Sequence, residues 1–115
     1  MMLTDIAQCF STGQFSQIQS YFSEDLVWEI VGEQRLSGIE QVLKHCQSIE
    51  HYFQLTPHEF QIQSIHQVGH HVIIQGEAYF YHVNQTTHIS ACDVYNFNDS
   101  NQLFQVQSYC ISIQE

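Results

Sequence analysis

Apolar residues open the chain at helical spacing. Leu3, Ile6, Ala7 and Phe10 recur every three or four positions, which predicts an amphipathic helix over 3–12. Thr4 or Asp5 stands near its start and Gly13 stops it. Phe15, Ile18 and Phe22 repeat the spacing and predict a second short helix over 14–22, broken by Ser23, Glu24 and Asp25. Leu26 to Val31 reads as a strand carrying Trp28, with Gly32 in the loop that follows. Ser37 then caps a third helix, and Glu40 three residues on completes a capping box. Ile39, Val42, Leu43, Cys46, Ile49 and Phe53 make the buried stripe of that helix, and Pro57 marks its outer limit.

Beyond Pro57 the period falls to two and stays there. Residues 58–68, 70–83, 87–97 and 103–113 read as four strands, with turns at Gly69-His70, Asn84-Gln85 and 98–101. Strands this long twist and bend, often at a bulge. The order helix, helix, strand, helix, then a meander predicts an α+β fold: a cone-shaped, curved, mostly antiparallel sheet packed on three N-terminal helices, in a single domain over 1–115. On the long strand, Val72, Ile74, Gly76, Ala78 and Phe80 share one face, and the small residues at its middle leave room as a pocket wall would. Ile73, Gln75, Glu77, Tyr79, Tyr81 and Val83 form the opposite face, a mixed tyrosine-bearing surface of the kind found at interfaces.

Composition narrows the partners. Arg35 and Lys44 are the only strong cations against twelve acids, a formal charge of −10. Nucleic-acid phosphates and anionic membranes are repelled by such a surface. No apolar run reaches the ~20 residues of a membrane span, and the first residues lack the basic region and apolar core of a signal peptide, so a cytoplasmic location is expected. Cys9, Cys46, Cys92 and Cys110 contain no C-x-x-C pair and read as free thiols. His70 and His71 are the one tight histidine pair, and adjacent strand residues face opposite ways, so no metal site is expected. No nucleophile elbow or phosphate loop is present, so neither a serine or cysteine nucleophile nor a nucleotide cofactor is expected. Asp93 is the acid that stands out, because it lies in an apolar strand and shares a face with Ala91 and Tyr95.

Residues 22–32, the helix start at Leu36-Ser37-Gly38-Ile39-Glu40, and the run from Asp93 to Asp99 continuing through Gln105 to Tyr109 together resemble the nuclear transport factor 2-like superfamily. The resemblance is strongest to its SnoaL-like and ketosteroid isomerase-type branch and covers nearly the whole chain. It implies a pocket between sheet and helices and a homodimer packed through the outer sheet face. It places Asp93 where a protonated carboxyl group helps bind an oxyanion, a role that needs burial to raise its pKa.

The general base of that branch falls on Glu29 when aligned on Gly32 and on Ile30 when aligned on the preceding helix. If Trp28 points inward, so does Ile30, and Glu29 faces solvent. The branch's oxyanion-binding tyrosine corresponds here to Ile6 or Asp5, neither of which has a phenol. His45 falls at a pocket-lining helix position, where it could pair with Asp93 across the cavity. Tyr21, at the end of the second helix, could supply a phenol to the same network. Trp28, Phe80, Tyr95, Val106 and Cys110, with Ile74, Ala78 and Ala91 beside them, would complete a mainly apolar wall. The expected function is binding of a small apolar or aromatic carbonyl compound, with cofactor-free acid–base chemistry of isomerase, cyclase or dehydratase type. The alternative is a non-catalytic interaction scaffold using the outer sheet face.

Overall fold

The N-terminal stripe folds as expected. In the computed structural model, which describes residues 1–114, Leu3–Ser11 form helix α1 and bury Ile6, Ala7 and Phe10 against the sheet. Met2, rather than Thr4 or Asp5, stands at its N-cap, and its backbone N–H donates to Asp5 Oδ2 at 3.1 Å. Gly13 ends the helix with φ 75°, a left-handed conformation that suits glycine. The ring of Phe53 lies where a side chain at Gly13 would be, 2.2 Å from an ideal Cβ.

The second expected helix is not an α-helix. Phe15–Gln17 and Gln19–Tyr21 are two 3₁₀ turns. Phe15 and Ile18 are its buried residues and Tyr21 is only partly buried, too short a stripe to sustain a cooperative α-helix. Phe22 belongs instead to strand β1 (Phe22–Ile30), which begins four residues before Leu26 because Phe22 pairs with Leu103. Two α-helices and two 3₁₀ turns thus replace the three helices expected.

Strand β2 (Gln34–Ser37) is absent from the sequence-based reading because its residues are mostly polar and exposed. It forms by antiparallel pairing with β1, from Val27 opposite Ser37 to Ile30 opposite Gln34. Ser37 is therefore spent in a strand, and the expected capping box with Glu40 does not form. Gly38, at φ 90°, is the N-cap of helix α2 (Ile39–Leu55), and Gln41 Oε1 accepts from the Ser37 backbone N–H at 2.9 Å. Helix α2 buries Val42 and Cys46 and packs on β1 and β2. It stops at Thr56, which is extended, as the residue before a proline must be.

Strands β3 (His58–Val68), β4 (His71–Tyr81), β5 (Thr86–Phe97) and β6 (Leu103–Ile113) follow. The order across the sheet is β2-β1-β6-β5-β4-β3, with β1 and β6 parallel and every other pair antiparallel. A bulge between Ile62 and Ser64 bends β3 beside Gly76. There the β3 backbone comes so close that a Cβ on Gly76 would sit 2.7 Å from the Gln61 carbonyl oxygen. Val72 and Ile74 are buried in the core with Tyr95, Leu103 and Val106. The other half of β4, from Gly76 to Phe80, faces a hollow. Val83, expected in the strand, is 98% exposed in the turn beyond it. Among the described residues, no helix is long and apolar enough to cross a membrane.

Candidate ligand-binding site

The hollow lies between the Gly76–Phe80 half of the sheet and helices α1 and α2 and has a volume of about 460 Å³, within the range of small-molecule sites. Its wall is largely aromatic: Phe10, Phe15, Trp28, Tyr52, Phe53, Phe60 and Phe80 line it, with Ile30, Ala78, Ile89 and Ala91 between them. The rings hold one another. Phe10 and Trp28 meet edge to face at 4.8 Å, and Phe53 stacks on Phe80 at 5.4 Å. Ala78 pairs with Ile89 and Ala91 with Gly76 across β4 and β5, and these small residues keep the floor low.

Asp93 is the polar feature of that floor. On β5 it lies directly opposite Ile74 on one side and Ser108 on the other. Ser11 Oγ donates to Asp93 Oδ2 at 2.9 Å. Trp28 Nε1–H donates to Ser108 Oγ at 2.9 Å, which occupies the acceptor side of that hydroxyl and turns its proton toward the Asp93 carboxyl group, to which Ser108 is hydrogen-bonded. The hydroxyl of fully buried Tyr95 completes the cluster, hydrogen-bonded to Ser11 and Asp93. Burial raises the Asp93 pKa, and the hydrogen bonds from Ser108, Ser11 and Tyr95 oppose that rise without cancelling it. Burial, then the charge of Asp93, holds the Tyr95 phenol well above its ordinary value. A second, small chamber of about 50 Å³ adjoins Asp93 on the side of Ser11, Gly76 and Ile74, enough space for water.

The remaining sequence candidates divide. Trp28, Ile30, Ala78, Phe80, Ala91, Asp93 and Cys110 line the main hollow, and Ile74 lines the small chamber. Burial first, then the charges of Asp93 and Glu33, push the Cys110 thiol up to about 11. Tyr95 reaches the site through its hydroxyl while its ring is core, and Val106 is wholly core. Three expectations are corrected. Glu29 faces away from the hollow, because strand alternation turns Trp28 and Ile30 inward and puts Glu29 beside Arg35 on the other face. His45 makes no hydrogen bond to Asp93 among the described residues. Its ring packs edge-on against Trp28 at 5.2 Å, and burial lowers its pKa. Tyr21 packs against the core rather than lining the hollow.

Sequence reasoning missed Ser11 and Ser108. Both carried a signal. Ser11 follows Ala7 by four on the buried stripe of α1, and Ser108 alternates between Val106 and Cys110 on the inner face of β6. A hydroxyl at an apolar-face position is a buried polar group that needs a partner. Tyr52, Phe53 and Glu33 were also missed as lining residues.

Among the described residues, no group of three His, Cys, Asp or Glu side chains is arranged to hold a metal ion. No curated protein matches the chain. Among solved structures it is similar to a nuclear transport factor 2-like protein of unknown function from Cytophaga hutchinsonii, at 25% identity and a TM-score of 0.85 over 93% of this chain and 94% of that one. It is also similar to a Mycobacterium tuberculosis LEH-like epoxide hydrolase, at 17% identity and a TM-score of 0.71 over 95% and 82%. A candidate SnoaL-like polyketide cyclase from Shewanella denitrificans shares the fold at 11% identity and a TM-score of 0.74, over 95% and 90%. The model of the SnoaL-like domain matches residues 3–103, so this chain belongs to the SnoaL-like family, within the nuclear transport factor 2-like fold.

Proposed function

We propose that this protein binds a small apolar or aromatic carbonyl compound in the aromatic hollow and acts on it by cofactor-free acid–base chemistry at Asp93. The observation that carries the reading is a single carboxyl group on an apolar floor, held by Ser11 and Ser108 and raised in pKa by burial. A carboxyl group so placed keeps its proton further toward neutrality than a solvated one. It can donate to a developing oxyanion or, once ionised, remove a proton beside a carbonyl. The names of the similar structures, an epoxide hydrolase and a candidate polyketide cyclase, suit acid–base work on ring-forming or ring-opening substrates without choosing between them.

A pure scaffold would fill this space with Phe80 and Trp28. Both line an open cavity instead, which favours the ligand-binding reading. The outer sheet face would serve a homodimer: Ile73, Tyr109, Ile111 and Ile113 are exposed there, around a hydrogen bond between His88 Nε2 and Glu77 Oε1 at 2.6 Å.

The test uses 2-tetralone, a neutral ring ketone with exchangeable hydrogens beside the carbonyl. The wild-type protein should shift the indole N–H resonance of Trp28 on titration and accelerate hydrogen–deuterium exchange at the ketone. Asp93→Ala should lower that exchange by about a hundredfold or more. Binding without accelerated exchange would remove the catalytic half of the reading, and absence of binding by any ring ketone would remove both.

A further inference from the structure

We propose that the hollow is charge-filtered: it admits uncharged ring compounds, rejects anions, and owes much of that selectivity to Glu33 at its mouth. This rests on the ligand-binding reading above and names the ligand class that reading leaves open, since an aromatic carbonyl compound can equally well carry a carboxylate.

The ionisable side chains of the wall are Asp93, Glu33, Cys110 and Tyr52, all of which are neutral or negative. Among the described residues, no lysine, arginine or histidine lines the hollow, and His58 packs behind the rings of Phe53, Phe60 and Phe80. The two strong cations of the chain stand elsewhere. Arg35 is paired in register with Glu29, on the face of β1 and β2 turned away from the site, and Lys44 is exposed on α2. The chain as a whole carries −10, so no distant positive field compensates.

Glu33 is placed by the backbone. Gly32, at φ 84°, turns the chain, and the Glu33 N–H closes that turn on the Ile30 carbonyl at 2.9 Å. Glu33 lines the hollow together with Ile30 and is exposed to water, which puts it at the lip. Asp93 lies on the floor. The Cys110 thiol feels both carboxyl groups, as expected if they face one space. An anionic ligand would enter a low-dielectric aromatic chamber with no cation to meet and a negative charge at the mouth, where the field is focused. A neutral ligand loses nothing by either.

Two dyes of one skeleton test this: N-phenyl-1-naphthylamine, which is uncharged, and 8-anilino-1-naphthalenesulfonate, which adds a sulfonate. Fluorescence titration gives the two affinities, and the indole N–H signal of Trp28, the single tryptophan, reports seating in the hollow. In low salt the wild-type protein should hold the neutral dye at least about tenfold more tightly. The gap should narrow at about 0.5 M salt, as interactions with an exposed charge do. Glu33→Gln should raise the sulfonate-to-neutral affinity ratio by about tenfold, and Glu33→Lys by more. Equal affinities in the wild-type protein, or a ratio that neither variant moves, would overturn the charge filter and leave ligand binding standing. Failure of the neutral dye to bind at all would overturn both.

Discussion

At Asp93 two forces oppose each other. The apolar floor withdraws water from the carboxyl group and raises its pKa, while three hydroxyl groups support the ionised form and lower it. Burial wins, so the folded protein binds this proton more tightly than the unfolded chain does. The stability this residue contributes is then fully present below the ordinary carboxylate range and is lost as pH rises through the raised folded value. Asp93→Asn keeps the shape and removes the titration. Melting temperature measured between pH 4 and 8 should fall less steeply with rising pH in the variant, and an unchanged slope would mean that Asp93 is solvated. The sequence made this residue legible because an acid inside an apolar strand is conspicuous. Its partners were less so: Ser11 and Ser108 look unremarkable until the register sets Ser108 opposite Asp93.

Between elements, Gly13 decides how α1 and α2 meet. Its left-handed φ closes α1, and its missing side chain admits the Phe53 ring from the end of α2. Gly13→Ala should cost about 1–3 kcal/mol in denaturant unfolding, from backbone strain and from displacing the ring. Adding Phe53→Ala should show coupling, since the ring clash disappears while the backbone strain remains. If the two costs simply add, Phe53 does not press on Gly13. Helix stripes and strand periods were readable at this scale, and β3 and β6 have the bounds that alternation predicts. Strand β2 was not, because polar Gln34 and Arg35 become strand only by pairing with β1. The stretch over 15–21 kept helical spacing yet folded as 3₁₀ turns, since two buried side chains hold it.

The whole molecule leaves one broad sheet face without a cover. Ile111 stands in the middle row of that face, beside Ser90 and Glu77, and is 63% exposed. If two copies pack there, as proposed, they should cover roughly 800 Å² on each partner. Ile111→Glu should then shift sedimentation from dimer to monomer while the Trp28 environment stays native. A wild-type protein that sediments as a monomer at micromolar concentration would end the dimer proposal. Cone shape and hollow were legible from the small residues Gly76 and Ala78, but the aromatic wall on α2 was not, because Phe53 read simply as the end of a helix stripe and Tyr52 fell outside it.

The sheet order also bears on how the chain can reach this shape. Strand β6, last in sequence, lies between β1 and β5 and joins the two halves of the sheet. During synthesis the first strand must wait, unpaired on that side, until β6 has left the ribosome. Such long-range closure makes for slow folding. The nascent chain therefore spends its growth with two greasy strand edges open to other chains, and its acidity supplies mutual repulsion during that interval.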